Sequence, residues 1–255
     1  MLLVIDIGNT NIGLGIFEDS ELRATWRIDT GIRRMADEYA MLILSLLRQQ
    51  GLETNDVTKM SLCSVVPTLT VIFEELAEKY FHLSPLVVGA GIKTGVRIRL
   101  DNPREAGADR IVNAAAAHHL YHSPVIIADF GTATTFDTVS GEGDYLGGAI
   151  APGISTAAEA LSARTAMLPR VEFTRPERAI GTNTIDAMRS GLVFGYVGLV
   201  EGIIARIQGE MENKAMVIAT GGFADIIAKE TPVIEVVNLD LTLVGLRLIY
   251  MMNCA

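Results

Sequence analysis

Cysteine is scarce in this chain: 255 residues hold two, Cys63 in an apolar run and Cys254 beside the C-terminus. They form no Cys-x-x-Cys pair and no disulfide framework, which fits a reducing compartment. Positive charge is also short. Lys and Arg number 21 against 30 Asp and Glu, giving a net charge of −9 and a pI near 5.0. Such a balance argues against a nucleic-acid or anionic-membrane partner. No basic n-region precedes the apolar opening, which reads better as a strand than as a signal peptide. The longest apolar stretch, from Gly191, meets Glu201 well short of the ~20 residues a membrane span needs, so none is expected and the cytoplasm is the plain location. Histidine offers His118, His119 and His122, with 118 and 122 one helical turn apart. No third ligand and no His-Glu-x-x-His pattern joins them, so a zinc site is not expected. With 49% apolar and 20% charged residues the chain folds, and its length allows two modest domains or one.

What is present starts at residue 1. Met1 to Ile5 are apolar without interruption and lead into Asp6-Ile7-Gly8-Asn9-Thr10-Asn11. An all-apolar run this short reads as a strand buried on both faces. Gly8 permits a tight turn, and the short polar side chains supply donors. An acid beside such a turn suits a magnesium–phosphate site, although a turn-forming Asp satisfied by local N–H groups would look the same. The grammar recurs at Val125-Ile126-Ile127-Ala128-Asp129-Phe130-Gly131-Thr132-Ala133-Thr134-Thr135, which favours phosphate and cation binding in a duplicated unit.

The first half reads as strands at 12–17 and 22–28, a helix carrying Tyr39, Leu42, Ile43, Leu46 and Leu47 and stopped by Gly51, and a strand at 57–66. Pro67 then opens a second helix (Leu69, Ile72, Phe73, Leu76, Tyr80), and a short strand follows at 86–88. That order is ribonuclease-H-like. Residues 89–107 read as loop, followed by an alanine-rich helix to Tyr121. Strands at 125–129, 134–139 and 144–151 repeat the meander, a helix runs from Pro152-Gly153 to Leu161, and 169–181 is unstructured. A long helix from Thr184 to Met211 follows, then a strand at 216–219, a Thr220-Gly221-Gly222 turn, a helix, a strand at 233–237 and a closing helix from Leu241. The expected domains are 1–115 and 116–255.

Two features need more than pattern. Gly191, Gly195, Gly198 and Gly202 line one face of the long helix, each costing up to ~1 kcal/mol against alanine. Close packing inside the domain or across a two-fold dimer axis would compensate. Asp109 opens a helix, where an acid suits the macrodipole. There it could also accept an alcohol's proton, with Arg110 holding an anionic substrate.

The paired strand–Asp–Gly turns resemble those of the actin, hexokinase and heat-shock chaperone superfamily. That resemblance implies an α/β chain of two ribonuclease-H-like domains with a nucleotide cleft between them. Asn102-Pro103 with Gly107-Ala108-Asp109-Arg110 resembles the pantothenate-contacting motif of type III pantothenate kinases. Asp6-x-Gly-Asn-Thr and Asp129-x-Gly-Thr-Ala-Thr-Thr are similar to that family's two phosphate motifs, and Gly147 to Gly153 and Gly181-Thr182-Asn183-Thr184 match in order and spacing. The departure is Leu100, where many members have Tyr. The resemblance implies a kinase that moves the ATP γ-phosphate to the primary hydroxyl of pantothenate, opening coenzyme A synthesis. In that scheme Asp109 is the general base, and Gly107, Ala108, Asp109 and Arg110 contact the substrate. Asp6, Ile7, Gly8, Asn9, Thr10, Asn11, Ile12, Gly13 and Thr132 hold ATP. Asp129 binds a monovalent cation (potassium or ammonium), magnesium rides near Asp6 through water, and Thr184 reaches substrate from the second subunit of a homodimer. The competing readings are another small-molecule kinase or polyphosphate hydrolase of the superfamily, and a non-catalytic regulator. The regulator would be expected to have lost one of Asp6, Asp109 and Asp129, and all three are present.

Overall fold

The computed structural model describes residues 1–254 and divides the chain into two units. The first comprises residues 1–97, 101–116 and 241–255, the second 98–100 and 117–240.

In the first unit β1 (Leu2–Ile7) lies at the centre of a five-stranded sheet. It pairs antiparallel with β2 (Asn11–Glu18), which pairs with the edge strand β3 (Glu21–Asp29). On its other side it pairs parallel with β4 (Lys59–Ser64), which pairs with the short β5 (Leu86–Val87). Central placement explains the apolar run, since Leu2 to Ile5 are all buried. One sheet face packs on α1 (Ala36–Gln49) and α2 (Pro67–Leu76), through Tyr39, Ile43, Leu47, Leu69 and Phe73. Pro67 is the first residue of α2, and Gly51 takes φ +71 just past α1. Leu42 departs from the expected stripe by standing 37% exposed. The other face packs on α3 (Ala108–Tyr121) through Val112 and Ala115.

The second unit repeats this arrangement. β6 (Arg97–Ile98), β7 (Val125–Phe130), β8 (Ala133–Val139) and β9 (Asp144–Pro152) come first in the chain. They are followed by α4 (Ile154–Arg164), α5 (Thr184–Glu210), β10 (Met216–Gly221), α6 (Ala224–Ala228) and β11 (Val236–Val237). Its sheet runs β11-β10-β7-β8-β9-β6, against β5-β4-β1-β2-β3 in the first unit, so β7 corresponds to β1 and β6 is an addition. α5 and α6 cover the sheet through Tyr196, Val200, Ile204 and Ile227.

Three elements differ from the expectation. β6 lies inside the expected loop 89–107, where two residues beside β9 are too few to show a period. Helix α7 (Leu241–Cys254) belongs to the first unit, not to the C-terminal half, because Leu243, Leu246 and Ile249 complete the apolar layer against Leu2, Val4 and Val112. Helix α5 runs through Glu201 as expected, the Glu201 carboxylate accepting the Thr231 hydroxyl at 2.6 Å, and differs only in that its apolar length is not cut short there. By length and composition α5 is therefore the one helix among the described residues able to cross a membrane, with mean hydropathy 1.5 over eighteen residues.

The contact of α7 with α3 depends on Gly245, where a Cβ would lie 2.3 Å from the Val112 carbonyl oxygen. Backbone cannot yield there as a side chain can. Gly245→Ala is expected to cost ~1–3 kcal/mol despite its better helix propensity, measured as a fall in denaturant midpoint.

Candidate active site

Asp6 occupies the penultimate position of β1, directly opposite Gly13 on β2 and Cys63 on β4. Cys63 is fully buried, and its Sγ donates to Asp6 Oδ1 at 3.3 Å. Burial, followed by the charges of Asp6 and Asp109, holds the Cys63 thiol well above its ordinary range, so the S–H is kept for Asp6. Asp6 itself is pushed up from 3.8 to about 6, first by burial and then by the neighbouring Asp109 carboxylate; Cys63 and Arg27 pull the other way. Beyond it the chain turns on a hydrogen bond from the Gly8 N–H to the Asn11 carbonyl at 3.1 Å. A Cβ at Gly8 would lie 2.9 Å from that same oxygen, so the turn needs glycine. Thr30 closes the outside, its hydroxyl donating to Gly8 O at 2.8 Å.

Asp109 stands in the first turn of α3, and its Oδ1 accepts the Arg110 N–H at 2.8 Å. A Cβ on residue 107 would lie 2.5 Å from that oxygen, which is why the Gly-Ala-Asp-Arg sequence begins with glycine. Upstream, Asn102 accepts the Arg104 N–H and donates to Glu105, forming the short turn that leads into the helix. The first unit thus brings Asp6 and Asp109 into electrostatic reach of each other and sets the Gly8–Gly13 turn beside Asp6.

In the second unit Asp129 occupies the position on β7 that Asp6 has on β1, and pairs with Thr135 and Thr220. Its turn closes through Gly131 N–H to Ala133 O at 3.1 Å. Thr132 is held by its carbonyl, which accepts from the Gly153 N–H at 3.1 Å and the Thr156 hydroxyl at 2.8 Å. Gly221, at φ +87, lets β10 pass Asp129, where a Cβ would lie 2.6 Å from its Oδ1. Thr184 is the exposed first residue of α5, one past the Asn183 cap that accepts the Asp186 N–H. Gly181 precedes it because a Cβ there would lie 2.3 Å from the Ala187 nitrogen. Leu100 lies against Gly147 of β9, in apolar contact where a tyrosine would have carried a hydroxyl.

The donors suit hard cations. No group of three or more His, Cys, Asp or Glu side chains able to hold a metal exists among the described residues, the histidines included. Single carboxylates beside phosphate-type turns fit magnesium arriving with a nucleotide, which keeps most of its waters and takes one or two protein carboxylates. Sequence reading missed Cys63 as a partner of Asp6. The parallel register of β4 on β1 brings them together, and no local pattern announces it.

Duplicated sheets of this order, each with a strand–Asp–x–Gly turn, give the chain the two-domain fold of actin-like ATPases and sugar kinases. A polyphosphate/ATP-glucomannokinase from Arthrobacter has a similar fold, with TM-score 0.52 at 12% identity over 99% of both chains. A Campylobacter jejuni protein assigned to the Baf family of transcriptional activators matches at TM-score 0.64 and 18% identity over 98% of both. Sequence is more specific. The type III pantothenate kinase family profile matches residues 2–206. A type III pantothenate kinase of Dehalococcoides mccartyi is 56% identical over 252 residues, covering 99% of this chain and 96% of that one. One from Moorella thermoacetica is 53% identical over 253 residues, covering 99% and 100%. The chain belongs to the type III pantothenate kinase family.

The raised Asp6 has a consequence for stability. Below about pH 4 the carboxyl is protonated folded or unfolded and contributes nothing. Between 3.8 and about 6 the folded state holds the proton more tightly, so stability falls as pH rises through that window and stays lower at neutral pH. Asp6→Asn is therefore expected to be more stable than the wild type at pH 7.5 by ~1–3 kcal/mol, with the gap closing by pH 4. Thermal melts of both proteins across that range check it.

Proposed function

We propose that this chain transfers the ATP γ-phosphoryl group to the primary hydroxyl of pantothenate, with Asp109 as general base. The proximity of the Asp109 and Asp6 carboxylates in the first unit carries this reading. In this reading Asp109 takes up the proton while Asp6 serves a phosphate-bound cation. The transition state of phosphoryl transfer is loose, so the protein mainly orients the alcohol and balances spreading charge. The alcohol keeps its proton until late, which makes an aspartate a sufficient base. Gly107 to Arg110 hold pantothenate, with the Arg110 guanidinium suited to its carboxylate. Residues 6–13 and Thr132 hold the ATP phosphates, magnesium bound at Asp6 through water supplies charge neutralisation, and Asp129 binds potassium or ammonium.

The working form in this reading is a cytoplasmic homodimer joined through the glycine face of α5, with Thr184 of each copy serving the other. Gly191, Gly195 and Gly198 have nothing within 4 Å of where a Cβ would stand, so packing inside the chain does not account for them. Gly202 differs, since the Arg206 guanidinium donates to its carbonyl at 2.6 Å. Ile185 adds apolar surface, 44% exposed at the start of the same helix.

Asp109→Asn is expected to lower kcat ~10²–10⁴-fold without lowering the melting temperature, in an assay containing ATP, magnesium, potassium and pantothenate. Turnover equal to the wild type would remove Asp109 from the mechanism. Sedimentation equilibrium should give a dimer for the wild type and a monomer for Gly195→Trp, at an exposed position where a Cβ meets nothing within 4 Å in the single chain but a close helix crossing would be blocked.

A further inference from the structure

Strand register places four residues in one row across the first sheet: Arg27 on β3, Gly13 on β2, Asp6 on β1 and Cys63 on β4. Directly paired residues project to the same face, so the row carries a cation, a gap, a carboxylate and a thiol in that order. One row back lie Thr25, Gly15, Val4 and Ser61. The two glycines of β2 behave differently. A Cβ at Gly15 would lie 3.1 Å from both Leu243 Cδ1 and Val4 Cγ2, so protein fills that space and glycine serves packing. A Cβ at Gly13 would have no neighbour closer than Asp6 Cβ at 3.7 Å and Leu243 Cδ2 at 3.9 Å. Packing therefore does not require glycine there. What its absent side chain preserves is a lane between Arg27 and Asp6.

Arg27 is exposed and has no hydrogen-bond or ion-pair partner among the described residues, although Asp29 lies two positions on along the same face of the strand. The other arginine of β3, Arg23, is held by Glu18 in an ion pair. An unanchored guanidinium in the same row as an open lane beside a phosphate-type turn suits the planar, bidentate demand of phosphate oxygens.

We propose that Arg27 contacts the phosphates of the bound nucleotide, reaching across Gly13 from the edge strand to the Gly8–Gly13 turn. This rests on the reading of ATP as the phosphoryl donor, and it adds a residue outside that turn to the phosphate site. Arg27 also feels the Asp6 carboxylate and lowers its proton affinity, which agrees with its direction along the row.

The test titrates wild type, Arg27→Ala, Arg27→Lys and the control Arg23→Ala with magnesium–ATP and, separately, with adenosine, by calorimetry. The same proteins are assayed for the KM of ATP and of pantothenate. Losing a charge-assisted contact should weaken magnesium–ATP binding and raise the ATP KM ~10–100-fold in Arg27→Ala. Arg27→Lys should fall between, while Arg23→Ala, adenosine affinity and the pantothenate KM stay within about twofold. Equal magnesium–ATP affinity and ATP KM in Arg27→Ala and wild type would overturn the proposal, as would an equal loss of adenosine binding. A wild type that binds the nucleotide yet leaves pantothenate unmodified would defeat the substrate reading alone, because the Arg27 comparison is made on nucleotide binding.

Discussion

A carboxylate drawn into a protein interior needs a counter-charge or it destabilises the fold, and Asp6 is held in that condition. The sheet surrounds it with strands on both sides, and α3 adds the charge of Asp109. Among the described residues its relief comes from a thiol hydrogen bond from Cys63 and the charge of Arg27. The remaining deficit suits a divalent cation carried by phosphates. Strain of this kind is common where a site must favour a charged ligand. Asp109 contributes to the deficit from the start of α3, where Gly107 lets its carboxylate fold back over the turn.

Duplication supplies the same tool twice, and the copies have diverged. Both turns close by a glycine N–H bonded to a carbonyl a few residues on, Gly8 to Asn11 and Gly131 to Ala133. Around the acids the neighbours differ. Asp6 faces a buried thiol across the parallel pairing, whereas Asp129 faces Thr220 and the bare backbone of Gly221. That strand passes the acid closely because residue 221 carries no side chain, which leaves bare backbone beside the Asp129 carboxylate.

Much of this was legible along the chain because it depends on local physics. The buried central strands β1 and β7 announce themselves by uninterrupted apolar runs. Pro67 marks a helix start by its missing N–H, and Gly51 a helix end by its tolerance of positive φ. Other features were hidden because they depend on distant neighbours. β6 is two residues whose only strand character is β9 beside them. Glu201 read as a break in an apolar run, and Thr231, thirty residues later, satisfies it.

By itself the sequence determined the repeated strand–Asp–Gly unit, the helices and the family, since period, turn chemistry and motif spacing all lie within short stretches. Only the tertiary structure decided that α7 returns to the first unit, because an apolar face acquires a location from the surface that covers it. It alone aligned Arg27, Gly13, Asp6 and Cys63, since register across a sheet is set by pairing and no single strand encodes its neighbours.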